Sequence, residues 1–231
     1  MTGPPHVHSA SSTALSSKVN RFTEIKTGAS PLRRATVLQV MVLRAIVVLL
    51  CCVPTAAWAA QPLATDLKGD PVNRLAAAGA RAVVLFFAAS DCPISNRYIP
   101  EIERLDRAYS PDGVRFWWVY PNPTDTQGVV RSHDAQFDIQ GNIALDTEQR
   151  LTHMAHATIT PEVAIFVPSG DQLREVYRGR IDNRYLSLGQ ERPQATRHDL
   201  EDAIRAVLAG KPVPEPGGPP VGCSIVPRSL P

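Results

Sequence analysis

Cys92 is the residue best placed to do chemistry. The apolar run 82–88 predicts a strand covered on both faces, and a short polar stretch, Cys92 and Pro93 follow it. Proline suits the first position of a helix, where its missing N–H costs nothing. A cysteine between a strand and a helix has its thiolate stabilised by the helix-terminal N–H groups and the macrodipole. We therefore predict that Cys92 reacts as a nucleophilic thiolate.

Three neighbours are predicted to adjust the pKa of the Cys92 thiol. Ser95 lies one helical turn further on and is placed to donate a hydrogen bond to the sulfur, and Arg97 adds positive charge nearby. Asp91 opposes both effects, because an adjacent carboxylate raises the pKa of a thiol.

A second cysteine, Cys223, lies in a Pro/Gly-rich C-terminal tail, residues 211–231, which is predicted to be extended. An extended chain covers about 3.1 Å per residue, so Cys223 can reach Cys92 across a domain of this size. Three roles stay open for Cys223: a thiol that resolves an adduct of Cys92, a docked tail residue, or a cysteine that pairs between chains.

The elements around Cys92 predict an α/β domain with a central mixed β-sheet flanked by helices. Early strand–helix–strand crossovers are followed by a strand hairpin and a closing helix. Pro100 predicts a kink in the first helix. The pattern predicts strands at 82–88, 114–120, 143–145, 163–167 and 173–177, and helices at 93–109, 125–137, 147–156 and 196–208.

Several segments resemble one family. Residues 86–95 resemble the active-site turn of the thioredoxin superfamily, and residues 159–161 resemble its cis-proline loop. Three further segments make the chain similar to the peroxiredoxin-like (redoxin) branch of exported thioredoxin-fold proteins. These segments are residues 177–182, 208–213 and 222–225.

The resemblance implies a thioredoxin-like fold and a cis peptide bond before Pro161. It also implies that the Thr160 backbone lies against the Cys92 sulfur and offers an edge for an extended substrate. The chain departs from the family at two positions. Thioredoxins have a second cysteine where this chain has Ser95, and peroxiredoxins have Thr or Ser where it has Ala89.

The N-terminal region predicts export. Residues 41–59 have the basic start, short apolar run and small residues of a secretory signal cleaved after Ala59. Residues 1–40 are predicted to be a disordered or mis-annotated extension. The thioredoxin-like domain then spans residues 60–210, and cleavage removes the other two cysteines, Cys51 and Cys52. The mature protein is expected to be periplasmic or secreted, with the export signal as its one contact with a membrane.

The leading hypothesis is an exported thiol oxidoreductase that acts through Cys92 on protein or small-molecule thiols and disulfides. Peroxide reduction is the second enzymatic alternative, and a non-catalytic binding module is the rival from another class. A metal carrier that uses His153 and His156 with Cys92 comes third, and we assign no metal and no cofactor. The net charge of +2 argues against nucleic-acid binding.

Overall fold

The computed structural model describes residues 39–44 and 61–228. Residues 39–44 are helical and belong to an N-terminal unit, whereas the chain from Ala59 onward forms a second compact unit. The predicted signal peptide, 41–59, and the predicted extension, 1–40, lie almost entirely outside the described residues. No helix in the described ranges is both long enough and apolar enough to cross a membrane.

Strands of the second unit build one main sheet and two short ribbons. In chain order the strands are β1 (Ala64–Thr65), β2 (Pro71–Val72), β3 (Ala82–Phe87), β4 (Val114–Tyr120), β5 (Asn142–Leu145), β6 (Ile159–Thr160), β7 (Glu162–Ser169), β8 (Gln172–Gly179), β9 (Tyr185–Ser187), β10 (Gln190–Glu191) and β11 (Cys223–Ser224). The main sheet has the order β2-β1-β5-β4-β3-β7-β8. Within it β3, β4 and β5 are parallel, and β7 and β8 are antiparallel to their neighbours. The ribbons pair β9 with β10 and β6 with β11.

Helices cover both faces of this mixed sheet. The α-helices of the described part of this unit are α1 (Pro93–Tyr109), α2 (Gln127–Phe137), α3 (Arg150–Met154) and α4 (Asp199–Leu208). α1, α2 and α4 contribute to one hydrophobic cluster, and α3 contributes to the other. The predicted α/β class, a central mixed β-sheet flanked by helices, is confirmed. α1 begins at Pro93, as predicted, and runs through Pro100 as one helix.

The position of β3 in the sheet explains why its residues are all apolar and do not alternate with polar ones. Val84 and Phe86 point into the cluster formed with α1, whereas Val83 and Leu85 point into the cluster on the opposite face. All of its residues are buried. A strand buried on both faces needs apolar side chains at every position.

Three helices begin later than predicted because nearby backbone groups have other partners. At the start of α2, Thr126 is the N-cap, and its hydroxyl accepts a hydrogen bond from the N–H of Val129 at 3.4 Å. Before α4, the N–H of Thr196 donates to the Asn183 side chain at 2.8 Å. Before α3, Gln149 has a φ of 54°, in the left-handed region. A helix cannot include these conformations, so each starts after them.

Candidate redox site

Cys92 lies at the junction between β3 and α1. Its backbone is extended, with φ −87° and ψ 111°, and it forms the N-cap of α1. Its N–H donates to the Ala89 carbonyl at 3.1 Å, and its carbonyl accepts from the N–H of Asn96 at 3.1 Å. None of its surface is exposed. The thiol therefore occupies the position expected from the sequence, but it is fully covered.

The Thr160–Pro161 peptide bond is cis, as the family resemblance implied. Thr160 forms part of β6 and is fully buried. The Cys92 thiol donates a hydrogen bond to the Thr160 carbonyl at 3.3 Å. The structure thus brings Cys92, Thr160 and Pro161 together.

Cys223 completes this group. β11 pairs antiparallel with β6, and Cys223 lies opposite Thr160. The sulfur atoms of Cys223 and Cys92 are 2.8 Å apart, and both cysteines are free thiols. Cys223 is exposed, in contrast to Cys92. The C-terminal tail not only reaches Cys92 but forms a strand beside it.

The C-terminal tail is anchored on both sides of Cys223. Upstream, the N–H of Gly217 donates to a carboxylate oxygen of Asp199 at 2.8 Å. Downstream, the N–H of Ile225 donates to the Thr158 carbonyl at 3.0 Å. The Ile225 side chain is buried in the hydrophobic cluster that also contains α3. These contacts fix the chain direction on either side of the sulfur.

Two buried side-chain amides also hold the tail. The N–H of Val226 donates to Asn122 at 2.9 Å, and the Val226 carbonyl accepts from Gln149 at 2.7 Å. Gly222 lies so close to β6 that a Cβ atom there would overlap the Thr160 carbonyl oxygen. The tail therefore fits a preformed groove that requires glycine next to the cysteine.

The surroundings shift the pKa values of the two thiols in opposite directions. Burial raises the pKa of Cys92, but hydrogen bonds from the Cys223 thiol, from the Ser95 N–H and hydroxyl, and from the Ile94 N–H outweigh burial, so the pKa lies below its ordinary value. Partial burial, the hydrogen bond to Cys92 and the negative charges of Cys92 and Asp91 raise the pKa of Cys223. Of the two thiols, Cys92 is therefore the one that loses its proton first.

The expected influences of Ser95, Arg97 and Asp91 can now be compared with the structure. The Ser95 hydroxyl is buried and forms no other hydrogen bond among the described residues, so it is free to donate to the Cys92 thiolate, whose pKa it lowers. Arg97 instead forms a salt bridge with Glu191 at 3.0 Å and is more than half exposed. The negative charge of Asp91 raises the pKa of Cys223. The guanidinium of Arg97 thus has another partner, and Arg97 is not among the main influences on the pKa of Cys92.

A buried polar network beside Cys92 was not predicted. Ser90 donates through its hydroxyl to Asp125 at 2.5 Å, and its carbonyl accepts from Asn96 at 3.2 Å. Asn96 in turn contacts His133 at 2.8 Å, and His133 contacts the Tyr120 hydroxyl at 3.1 Å. These residues come from separate elements, so no spacing in the sequence connects them. The network fixes the turn that presents Cys92.

The described residues give no support to the metal-carrier alternative. Within them, the side chains that could hold a metal ion together are Glu101, His198 and Glu201, whose ligand atoms lie within 4.8 Å of one another. Both carboxylates of this group already accept hydrogen bonds from Arg104. The predicted combination of His153 and His156 with Cys92 does not form such a group.

No protein-family model and no curated protein matches the sequence. Solved structures do match it. An uncharacterized conserved protein from Geobacillus kaustophilus is 25% identical, with a TM-score of 0.56, over 73% of this chain and 89% of that chain. A hypothetical protein from Sinorhizobium meliloti is 21% identical, with a TM-score of 0.57, over 70% and 88% of the two chains.

A secreted Mycobacterium tuberculosis disulfide oxidoreductase, homologous to E. coli DsbE, is 17% identical, with a TM-score of 0.43, over 65% of this chain and 96% of that chain. The fold of this chain is thioredoxin-like. It combines a mixed sheet, a helix that starts after the cysteine at the end of β3, and a cis-proline before β7.

Proposed function

We propose that this chain is a thiol–disulfide oxidoreductase whose redox couple is Cys92 and Cys223. The observation that carries the proposal is the distance of 2.8 Å between the two sulfur atoms. A disulfide bond is about 2.05 Å long, so its formation needs a movement on the order of 1 Å. The couple replaces the local cysteine pair of thioredoxins with one cysteine from the fold and one from the C-terminal tail.

The reaction consists of two exchange steps. In the external step, a protein thiolate attacks a partner disulfide R–S–S–R, forms a mixed disulfide and releases one R–S⁻. In the internal step, the other cysteine attacks the protein sulfur of that mixed disulfide, releases the second R–S⁻ and closes the Cys92–Cys223 bond. The partner gains two electrons, and the protons of the two protein thiols pass to the released thiolates. The reverse sequence oxidises two partner thiols.

Three residues around the couple have supporting roles. Ser95 stabilises the Cys92 thiolate through its N–H and hydroxyl. The Thr160 carbonyl holds the protonated Cys92 thiol. Pro161, through its cis bond, brings that carbonyl beside the sulfur. In this proposal all three residues position the sulfur and none exchanges electrons.

The contacts support exchange more strongly than the two alternatives. A peroxidase needs a hydroxyl to orient the peroxide, and the position three residues before Cys92 is Ala89, which is fully buried. A binding module would need the Thr160 edge for its partner, and the strand of Cys223 already occupies that edge.

We further propose that the protein works outside the cytoplasm, periplasmic or secreted, on protein or small-molecule thiols and disulfides. The predicted signal peptide, 41–59, supports this location.

The test is a redox titration with glutathione. The full chain carries Cys51→Ser and Cys52→Ser, so that Cys92 and Cys223 are its remaining thiols, and alkylation with mass spectrometry counts free thiols. Oxidised glutathione should produce an intramolecular disulfide. The Cys92→Ser variant should instead accumulate a glutathione adduct on Cys223, and the Cys223→Ser variant should form no intramolecular disulfide. The proposal is wrong if both thiols of the parent chain stay free, or if they bridge only to a second chain.

A further inference from the structure

We propose that a partner thiol enters the reaction at the sulfur of Cys223, and that Cys92 exchanges electrons only with Cys223. The inference rests on the proposed Cys92–Cys223 couple. It reverses the order expected from the sequence, in which the partner meets Cys92 first and Cys223 resolves the adduct.

Access distinguishes the two sulfurs. Cys92 has no exposed surface, and the Thr160 carbonyl and the Cys223 sulfur lie against its thiol. Cys223 is exposed. The anchors at Gly217 and Ile225 hold the tail over Cys92 from both sides. A partner that approaches the docked tail therefore meets Cys223.

The geometry of exchange leads to the same sulfur. Attack on a disulfide passes through a nearly linear arrangement of three sulfur atoms, in which the attacked sulfur is central. If Cys92 were central, the partner sulfur would have to lie opposite Cys223, and every side of Cys92 is occupied by protein. If Cys223 is central, the partner sulfur can lie on the exposed side of the tail.

The step balances without a further reactant. A partner thiolate R–S⁻ attacks the Cys223 sulfur, the Cys223–S–S–R bond forms, and the bond to Cys92 breaks with the electron pair on Cys92. A second thiolate of the partner then attacks the R sulfur and releases Cys223, which takes up a proton. The partner dithiol is oxidised to a disulfide and the protein is reduced. Oxidised glutathione regenerates the bond more slowly: the Cys223 thiolate attacks it and releases one glutathione thiolate, and Cys92 then attacks the Cys223 sulfur and releases the second.

The pKa values of the two thiols favour oxidation of a partner dithiol over reduction of a partner disulfide. A thiol with a low pKa is the better leaving group, and Cys92 has the lowered pKa of the pair. The raised pKa of Cys223 makes it a poor attacking thiolate toward an external disulfide. These directions agree with the access to the couple: a partner dithiol reaches the exposed Cys223, and the oxidised protein donates its disulfide to it.

A single-turnover experiment tests which sulfur is attacked. The full chain with Cys51→Ser and Cys52→Ser is oxidised, freed of oxidant and mixed with reduced glutathione, a monothiol that completes the second step only through a second molecule, so the mixed disulfide comes first. Samples are acid-quenched at increasing times, alkylated and mapped by peptide mass spectrometry. At the earliest times we expect about tenfold more glutathione on Cys223 than on Cys92, with the alkyl group on Cys92.

Each outcome separates this inference from the proposed function. Glutathione found equally on both sulfurs, or mainly on Cys92, overturns the inference and leaves the redox couple intact. Failure of the chain to form the internal disulfide overturns the couple itself. A separate measurement tests the direction of the reaction. The oxidised protein should oxidise a dithiol peptide faster than the reduced protein reduces the matching peptide disulfide. The opposite ratio of initial rates contradicts the role as a donor.

Discussion

The two sulfurs come from regions that are held in different ways. The Cys92 turn, residues 89–96, is held by backbone bonds between Cys92 and its neighbours Ala89 and Asn96, and by the polar network that reaches Asp125 and His133 within the domain. The C-terminal tail has almost no local structure around Cys223. It is held by groups that lie far away in the chain, among them Asp199 and Asn122.

Because of this difference, the placement of the Cys92 sulfur and its contact with Cys223 depend on different residues. A turn held within the domain keeps its geometry whether or not the tail is docked, so the position of the Cys92 sulfur belongs to the domain itself. Tail docking is a sum of separate contacts, and each hydrogen bond contributes about 1 kcal/mol. The docked fraction sets the effective concentration of Cys223 at Cys92. Substitutions in the tail groove should therefore change disulfide formation and leave the fold intact.

The largest effect is expected from Ile225→Asp. Ile225 is buried in the cluster that contains α3, and a carboxylate there would have no partner. An uncompensated buried charge costs about 3 kcal/mol, which corresponds to about a 100-fold lower equilibrium constant for tail docking. Formation of the internal disulfide in oxidised glutathione should slow by about that factor, as measured by quenched alkylation.

The matched control for this variant is Val226→Asp. The Val226 side chain is 53% exposed, and the bonds of this residue to Asn122 and Gln149 use its backbone. This variant should form the disulfide at nearly the parent rate. Equal slowing in both variants would mean that charge in the tail, and not loss of docking, is responsible.

The sequence predicts the Cys92 turn far better than the docked tail. The strand, Pro93 and the helix start follow one another in the chain, so local rules suffice to place the sulfur. The position of Cys223 depends on Asn122 and Gln149, which lie in loops that have no recognisable spacing to the tail. Chain length shows that contact is within reach, but only the folded groove shows that contact is made. The β1–β2 pair was missed for a related reason, since two-residue strands carry too little periodicity to detect.

Gly222→Ala should have the next largest effect. The added methyl group would overlap the Thr160 carbonyl oxygen, a backbone atom of β6 that pairing with β11 holds in place. Overpacking of this kind costs about 1–3 kcal/mol, so disulfide formation should slow by about tenfold or more. Gly218→Ala is the control, because its methyl group would meet the flexible end of Arg180 at 2.8 Å. A Gly222→Ala chain that is as fast as Gly218→Ala would show that the tail does not need this close approach.

A smaller effect is expected from Asn122→Ala. The substitution removes the acceptor of the Val226 N–H and leaves the Gln149 contact in place. Loss of one such hydrogen bond costs about 1 kcal/mol, so the disulfide should form about fivefold more slowly. The exposed Asn73 offers a control, since Asn73→Ala should leave the rate unchanged. Equal rates for the two variants would mean that Asn122 does not hold the tail.

The smallest change concerns the charge on Cys92 and not the position of the tail. The Cys223 thiol donates a hydrogen bond that lowers the pKa of Cys92. Cys223→Ser keeps a donor at this position, whereas Cys223→Ala removes it, so the pKa of Cys92 should be higher in the alanine variant. Less thiolate is then present at neutral pH, and the midpoint of the titration moves to higher pH. Thiolate absorbance in the ultraviolet measures this midpoint without any reagent having to reach the buried sulfur. If both variants titrate at the same pH, the thiolate is stabilised by the turn alone, and the tail contributes only its sulfur.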